Sequence, residues 1–400
     1  MKKTSFSLLI FLMLLNFTAL TQNFKEEYDS SKVYIQKNNF NGAIPWLEKA
    51  KNTVKTNPLD TAAYLEILRL LSISYAKTGK NAEAQNYFVE ASSVYVQVPS
   101  KRAQFVTHLS NFGVFLYNQK KYAEAIQQFE KALALKQNIA GENNTEYQSI
   151  LNNLSSCYMG LKQLDKAEKS YEQLLKLRES LAGTSHPEYL VTCQNLANVY
   201  NQAGKQEKAV SLYEAALKGI QGAKGEKSKE YITVLGQLAS VYRNQGNYEK
   251  AEGLYKKSLD LYGEVNEKAT KESGKIMLDL ASIYVLQGKF DEAEKIYTQA
   301  LTVFKENVGE FSADYASVLN NIGLFYAEAG KFDLAESFYK QSLEIGRQTI
   351  GEKHPDNITT YNNLGLTYKA TGKFDLAEAT LKRAVKYWKD IKSDKTAEYA

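Results

Sequence analysis

The sequence predicts an all-α fold, an alpha-alpha superhelix of about nine helix-turn-helix repeats. Three observations lead there. The stretch Gly288 to Leu301, GKFDEAEKIYTQAL, returns along the chain, its Ala293 matched by Ala167, Ala209, Ala251, Ala335 and Ala377 at a strict 42-residue period. The series continues upstream through Ala125, Ala84 and Ala43, the last two steps being 41. A fixed period of this length belongs to stacked two-helix units, each too small to bury its own apolar face, and not to separate globular domains. Apolar residues recur within each unit at helical spacing, and glycines punctuate it at two fixed places.

Ahead of the repeats, residues 1–21 read as a secretory leader: Lys2 and Lys3, the apolar run Phe6 to Phe17, then small polar residues. The run is too short to span a bilayer. A cut after Thr21 leaves Gln22 first and Ala19 at the third position back. The mature chain is therefore expected to be exported, periplasmic or secreted, and no later stretch approaches membrane-spanning length. Two of the five net positive charges belong to the leader. What remains is mild and holds no basic run, which argues against nucleic acid as a partner.

Positions are counted from the Ala of each repeat. Residue −9 is Tyr34, Tyr75, Tyr158, Tyr200, Tyr242, Tyr284, Tyr326 or Tyr368, with Leu116 the exception. Residue −13 is apolar, as in Leu154, Leu238 and Ile322, and residue −12 is small throughout, as in Ser155, Ala239 and Gly323. With −16 these make an i, i+3, i+4, i+7 stripe, one buried helical face; this is the first helix, A. It ends at −5, mostly Gly79, Gly204, Gly246, Gly288, Gly330 and Gly372, where a left-handed residue reverses the chain. The second helix, B, is expected to be N-capped by Asp165, Asp291, Asp333 and Asp375. Its buried face carries an aromatic at +4, Phe129 or Tyr255 for example, and usually a small residue at +7. It closes at +16 with Gly141, Gly183, Gly225, Gly309 or Gly351.

Two loops read Gly-x-x-His-Pro, ending at Pro187 and Pro355. Proline suits the second place of a new helix, where no N–H is needed, so His186 and His354 are read as loop and capping residues. His108 stands where other repeats have Ile150, Val234, Ile276 and Val318, and is read as packed. Cys157 and Cys193 fall six frame positions apart on neighbouring A helices, about 9 Å of rise plus another 8 to 10 Å between axes. A disulfide needs Cα atoms within about 7 Å, so they are not partners.

Residues 22–58 form an atypical N-terminal capping repeat, its stripe diluted by Glu27, Ser30 and Ser31, its turn residue Asn38, and Pro45 in the first turns of its helix B. The array proper, repeats 2 to 9, covers residues 59–395. Residues 396–400, Thr-Ala-Glu-Tyr-Ala, match the opening of another helix A, as in Thr145-Glu146-Tyr147, and are expected to begin a truncated further repeat of a longer protein.

This pattern of Leu, small, Tyr, Ala, aromatic and Ala in paired helices resembles the tetratricopeptide repeat. The 42-residue period, His186-Pro187-Glu188-Tyr189 and Asn195-Leu196-Ala197 resemble the kinesin-light-chain type in particular. The resemblance runs from about residue 24 to the last residue and implies a protein-binding scaffold.

The remaining face of helix A, positions −18, −15, −14, −11 and −8, is expected to line the concave groove. It holds Asn152, Asn153, Asn195, Asn198, Asn201, Asn320, Asn321, Asn362 and Asn363. Only Arg243, Lys275, Asp279 and Lys369 are charged among its 35 positions in repeats 3 to 9, against 24% charged residues chain-wide. Amides and hydroxyls offer both donors and acceptors, which an extended peptide backbone requires. The resemblance implies that Asn at −14 bonds a ligand's backbone; that place holds Asn111, Asn153, Asn195, Asn321 and Asn363, with Gln237 and Asp279 between. Two uses are open to these residues, bonding a guest and tying neighbouring helices together, and one residue can serve both. The paired basic residues with which some members clamp a terminal carboxylate are missing here.

No phosphate loop, Gly-x-Ser-x-Gly or paired metal-ligand spacing occurs, and the Cys and His residues fall at packing or loop positions. Neither catalysis nor a cofactor nor a metal is expected. The reading is thus a non-catalytic exported scaffold holding a peptide or protein segment in its groove, with self-association through exposed helix faces as a further option. The alternative is the regulatory or targeting region of a larger protein, followed by a caspase-like peptidase or a signalling domain.

Overall fold

In a computed structural model, residues 22–55, 61–266 and 268–397 are described; the expected leader, and the last three residues of the expected further repeat, lie outside them. Residues 22–36 form α1. There follow α2 (Phe40–Lys55), α3 (Thr61–Lys77), α4 (Asn81–Val96), α5 (Arg102–Asn118), α6 (Tyr122–Ala140), α7 (Thr145–Gly160), α8 (Leu164–Ala182) and α9 (Pro187–Gln202). Then come α10 (Gln206–Lys224), α11 (Lys229–Asn244), α12 (Tyr248–Val265), α13 (Lys271–Leu286), α14 (Phe290–Val308), α15 (Ala313–Glu328), α16 (Phe332–Thr349), α17 (Pro355–Ala370) and α18 (Phe374–Ala397). Odd helices are A and even ones B. Among the described residues there is no strand.

The chain divides into two units, one ending at Gly183 and one beginning at Thr184. Within each unit every A helix packs on its own B helix, and each B helix on the A helix of the next hairpin. The small residue at −12 makes the first contact close. A Cβ added to Gly113 would lie 2.7 Å from the Phe129 ring, and one added to Gly323 would lie 2.7 Å from the Tyr339 ring. The +4 aromatic therefore rests on the backbone of its own A helix, and Phe129, Tyr213, Tyr255 and Tyr339 are fully buried.

The turn at −5 is left-handed in every repeat, with φ between 73° and 77° at Gly79, Gly204, Gly246, Gly288, Gly330 and Gly372. Asn38, Lys120 and Lys162 hold the same conformation without being glycine, at φ 55°, 60° and 56°. A hairpin this tight imposes the backbone angle whatever the residue, at a cost of about 1 kcal/mol for a side chain with a Cβ.

The expected caps of helix B are corrected. α8, α14 and α16 begin at Leu164, Phe290 and Phe332, so their caps are Gln163, Lys289 and Lys331, without a side-chain hydrogen bond. Asp165, Asp291 and Asp333 lie inside the first turn, as does Asp375 in α18, where a carboxylate complements the helix dipole. Position −4 is the cap because the chain leaves the left-handed residue at −5 already entering the helix. Helices A do carry side-chain caps: Asn144, Ser228, Thr270 and Ser312 accept from the backbone three residues on. His186 and His354 cap α9 and α17 through Nδ1, with Pro187 and Pro355 the first helical residues.

In the first hairpin Glu27 accepts a hydrogen bond from Thr53 Oγ1 at 2.8 Å, and Ser31 is buried with its hydroxyl on the Tyr28 carbonyl at 2.6 Å. These polar residues therefore serve their own hairpin. Cys157 and Cys193 are both buried, and they are not joined in a disulfide. α18 continues without a break past Ser393, where other repeats have their closing glycine, so Thr396 and Ala397 extend helix B.

Candidate protein-binding face

Helices A of consecutive hairpins touch: α5 meets α7 in the first unit, and α9, α11, α13, α15 and α17 follow one another in the second. They form a continuous wall in each unit, and all twelve amide and guanidinium residues anticipated from the sequence stand on these helices. Their chemical states differ. In the first unit Asn111 is exposed, Asn152 and Asn153 are half-buried, and the Asn152 carbonyl oxygen has no hydrogen-bond partner among the described residues. In the second unit the half-buried Gln237 likewise keeps Oε1 without a partner among the described residues.

Several of the amides bond to one another. Asn363 Nδ2 donates to Asn320 Oδ1 at 3.2 Å, and Asn244 Nδ2 donates to Asn201 Oδ1 at 3.1 Å, each pair joining adjacent A helices. Asn198 accepts from Gln202 at 3.2 Å within one helix. By contrast Asn153, Asn195 and Asn321, all at −14, make no side-chain hydrogen bond among the described residues, and Asn362 is exposed. The wall thus contains both inter-helix ties and amides with their bonding capacity unspent.

One charged pair interrupts it. Arg243 Nη1 donates to Asp279 Oδ1 at 3.3 Å and to Ser282 Oγ at 3.5 Å. Burial pushes the Asp279 carboxyl above its ordinary range, and Arg243 pulls against that shift. Two apolar residues on the same wall, Leu324 and Leu366 at −11, are exposed. Elsewhere that position holds Ser156, whose hydroxyl lies 2.9 Å from that of Tyr171. The +4 tyrosines therefore reach through the hairpin toward the wall.

What sequence reasoning missed is a ladder on the other flank. The −9 tyrosines Tyr75, Tyr158, Tyr242, Tyr326 and Tyr368 donate to Glu48, Glu130, Glu214, Glu294 and Glu336 of the preceding helix B, at 3.0, 2.9, 3.5, 3.0 and 3.3 Å. Lysines at −4 complete it: Lys331 meets Glu294 at 3.0 Å and Lys373 meets Glu336 at 2.7 Å. Burial opposes ionisation of Glu252, but hydrogen bonds from Lys256, Gln287 and Lys289 hold its carboxyl down to about 2. The signal was present as Glu at +1 or +5 in step with Tyr at −9, hidden because each looked sufficient alone, one as core and one as solvated charge.

Among the described residues no group of three or more His, Cys, Asp or Glu side chains could hold a metal ion, and no helix is long and apolar enough to cross a membrane.

Tetratricopeptide repeat models match residues 146–221, 230–306 and 314–390, a second such model matches 106–146, and a third 278–349. The chain belongs to the tetratricopeptide repeat family. No curated protein matches it. Among solved structures it is similar to the apo form of RapI, at 14% identity and a TM-score of 0.60 over 94% of this chain and 99% of that one. It is also similar to the apo form of the quorum sensor NprR from B. thuringiensis, at 15% identity and a TM-score of 0.59 over 93% and 99%. Repeats of a putative kinesin light chain from Podosopora anserina align at 17% identity, a TM-score of 0.47, and 52% and 97% coverage. These likenesses concern the fold. Tetratricopeptide repeats are typically non-catalytic, and this array is a protein-interaction scaffold.

Proposed function

We propose that the A-helix wall of the second unit holds an extended peptide or protein segment by its backbone. The observation that supports this is the state of Asn195 and Asn321: half-buried, at equivalent places, and without a side-chain partner among the described residues. A primary amide in that state presents one acceptor and two donors, the complement of a peptide unit. The sparse charge of the wall favours backbone recognition over charge pairing.

The test is a selection of extended twelve-residue peptides on the full chain, followed by affinity measurements on Asn195→Ala/Asn321→Ala. Loss of two backbone bonds, each worth about 1 kcal/mol, should weaken the selected peptides at least tenfold while leaving melting unchanged. Asn363→Ala, which breaks a tie between hairpins, should lower the melting temperature instead. Unchanged affinity in the double variant would refute the reading.

We further propose that the scaffold acts after export. Lys2, Lys3 and the apolar run Phe6 to Phe17 support this. Sequencing the N-terminus of the mature protein should find Gln22; a cytoplasmic chain retaining Met1 would overturn it.

A further inference from the structure

We infer that a cleft between α10, α11 and α12 receives a tyrosine side chain from a partner protein, its ring stacking on Tyr242 and its hydroxyl donating to Glu214. This is independent of the reading of the A-helix wall, because the cleft opens on the flank that carries the ladder of Tyr and Glu.

The second hairpin shows how the same place is filled from within. There Tyr87, at +3, stacks on Tyr75 at −9, with ring centroids 5.5 Å apart and planes 16° from parallel. Both hydroxyls donate to Glu48, at +5 of the preceding helix B, Tyr75 at 3.0 Å and Tyr87 at 2.5 Å. The eighth hairpin keeps the ring alone, Phe338 at +3 stacking on Tyr326 at 5.3 Å. A −9 tyrosine therefore accepts an aromatic partner on its face, and a glutamate at +5 adds an acceptor for that partner's hydroxyl.

The sixth hairpin has the tyrosine and the glutamate but lacks the third member. Its +3 residue is Leu254 and its +2 residue Gly253, where other repeats carry Asn86, Gln127, Lys169, Ser211, Lys295 or Ser337. A Cβ added to Gly253 would meet nothing within 4 Å. What results is a cleft of about 350 Å³ lined by Glu214, Leu238, Tyr242, Lys250, Gly253 and Leu254. A cavity of about 150 Å³ holds benzene, so a phenol ring fits. Among the described residues Glu214 accepts only from the Tyr242 hydroxyl, at 3.5 Å, and the ladder lysine is missing, since −4 is Asn247. Apolar walls, a ring face and a carboxylate short of donors are the complement of a phenol. Glu214 is also the only carboxylate in the lining, and an α-ammonium would compete for it, so the guest is a tyrosine within a protein segment and not the free amino acid. Hairpins of the second unit flank the cleft on both sides, so it is not the product of a chain end.

One ring in an open cleft binds weakly, in the millimolar range. Saturation-transfer NMR titrations on the full chain should show N-acetyl-tyrosine amide binding, with its phenylalanine counterpart about tenfold weaker for want of the hydroxyl. The O-phosphorylated amide should not bind, because Glu214 repels its charge. Glu214→Ala should bring the tyrosine and phenylalanine amides to equal affinity. Leu254→Tyr, which copies Tyr87, should abolish binding with unchanged helicity and a raised melting temperature, separating a filled cleft from a damaged fold. Absence of binding to the native chain would overturn the inference, as would equal affinity there for the two amides or binding that survives Leu254→Tyr. Free tyrosine binding more tightly than its amide would overturn it too, as the mark of a metabolite site.

Discussion

His108 shows how one residue's surroundings become a property of the protein. It is buried among Phe88, Tyr95, Phe105 and Phe112, and its Nε2 lies 2.9 Å from Ser92 Oγ and 3.1 Å from the Phe88 carbonyl. Burial drives its ionisation down to about 4 from 6.5, with the Phe88 carbonyl opposing. The folded chain then binds fewer protons than the unfolded one between those values. Its neutral ring contributes stability in full above pH 6.5 and loses it as pH falls toward 4, on the order of 2 to 3 kcal/mol. Urea midpoints measured between pH 7 and 4.5 should fall more steeply for the native chain than for His108→Val, which copies Val234 and Val318. Equal slopes would mean that carboxylates alone set the acid limit. The sequence placed His108 on the buried stripe by its frame position; the polar partners that let a histidine occupy an isoleucine's place come from Ser92 and Phe88 of the preceding helix.

Between the two helices of a hairpin, the decisive feature is the small residue at −12. Ala281 lies fully buried beside Tyr297, as Ala239 lies beside Tyr255. Replacing Ala281 with Leu should destabilise by about 1 to 3 kcal/mol through overpacking, because the ring beneath has no free volume into which to move. Thermal melting would register the loss, and a midpoint within a degree of the native value would show that α13 and α14 can separate cheaply. This element was legible beforehand: period 3.6, a small residue at a fixed place and a turn glycine suffice to write a helical hairpin. The caps of helix B were misplaced because the aspartates have capping chemistry, whereas the backbone angles leaving the turn decide which residue stands at the helix entrance. Lys120 and Lys162 make the same point, adopting a glycine's conformation because the hairpin requires it.

Within each unit of the array, each hairpin contacts its neighbours in sequence, so stability is a sum of local and nearest-neighbour contributions. Damage to the core should therefore stay local. Leu238→Ala, in α11, should cost about 2 to 5 kcal/mol, and hydrogen exchange should quicken in α10 to α13 while α1 to α4 keep their protection. Uniform loss along the chain would mean that the protein unfolds as one cooperative body. The sequence by itself determined the all-α class, the number of hairpins, the turns and the wall on which the amides stand, because these follow from periodicity within some forty residues. Only the tertiary structure decided which amides are spent, as in Asn363 with Asn320, which are unspent, as in Asn195 and Asn321, and that Tyr and Glu form a ladder. Those outcomes depend on how one hairpin sits against the next, an offset of ångströms between residues about a full period apart that no local pattern encodes.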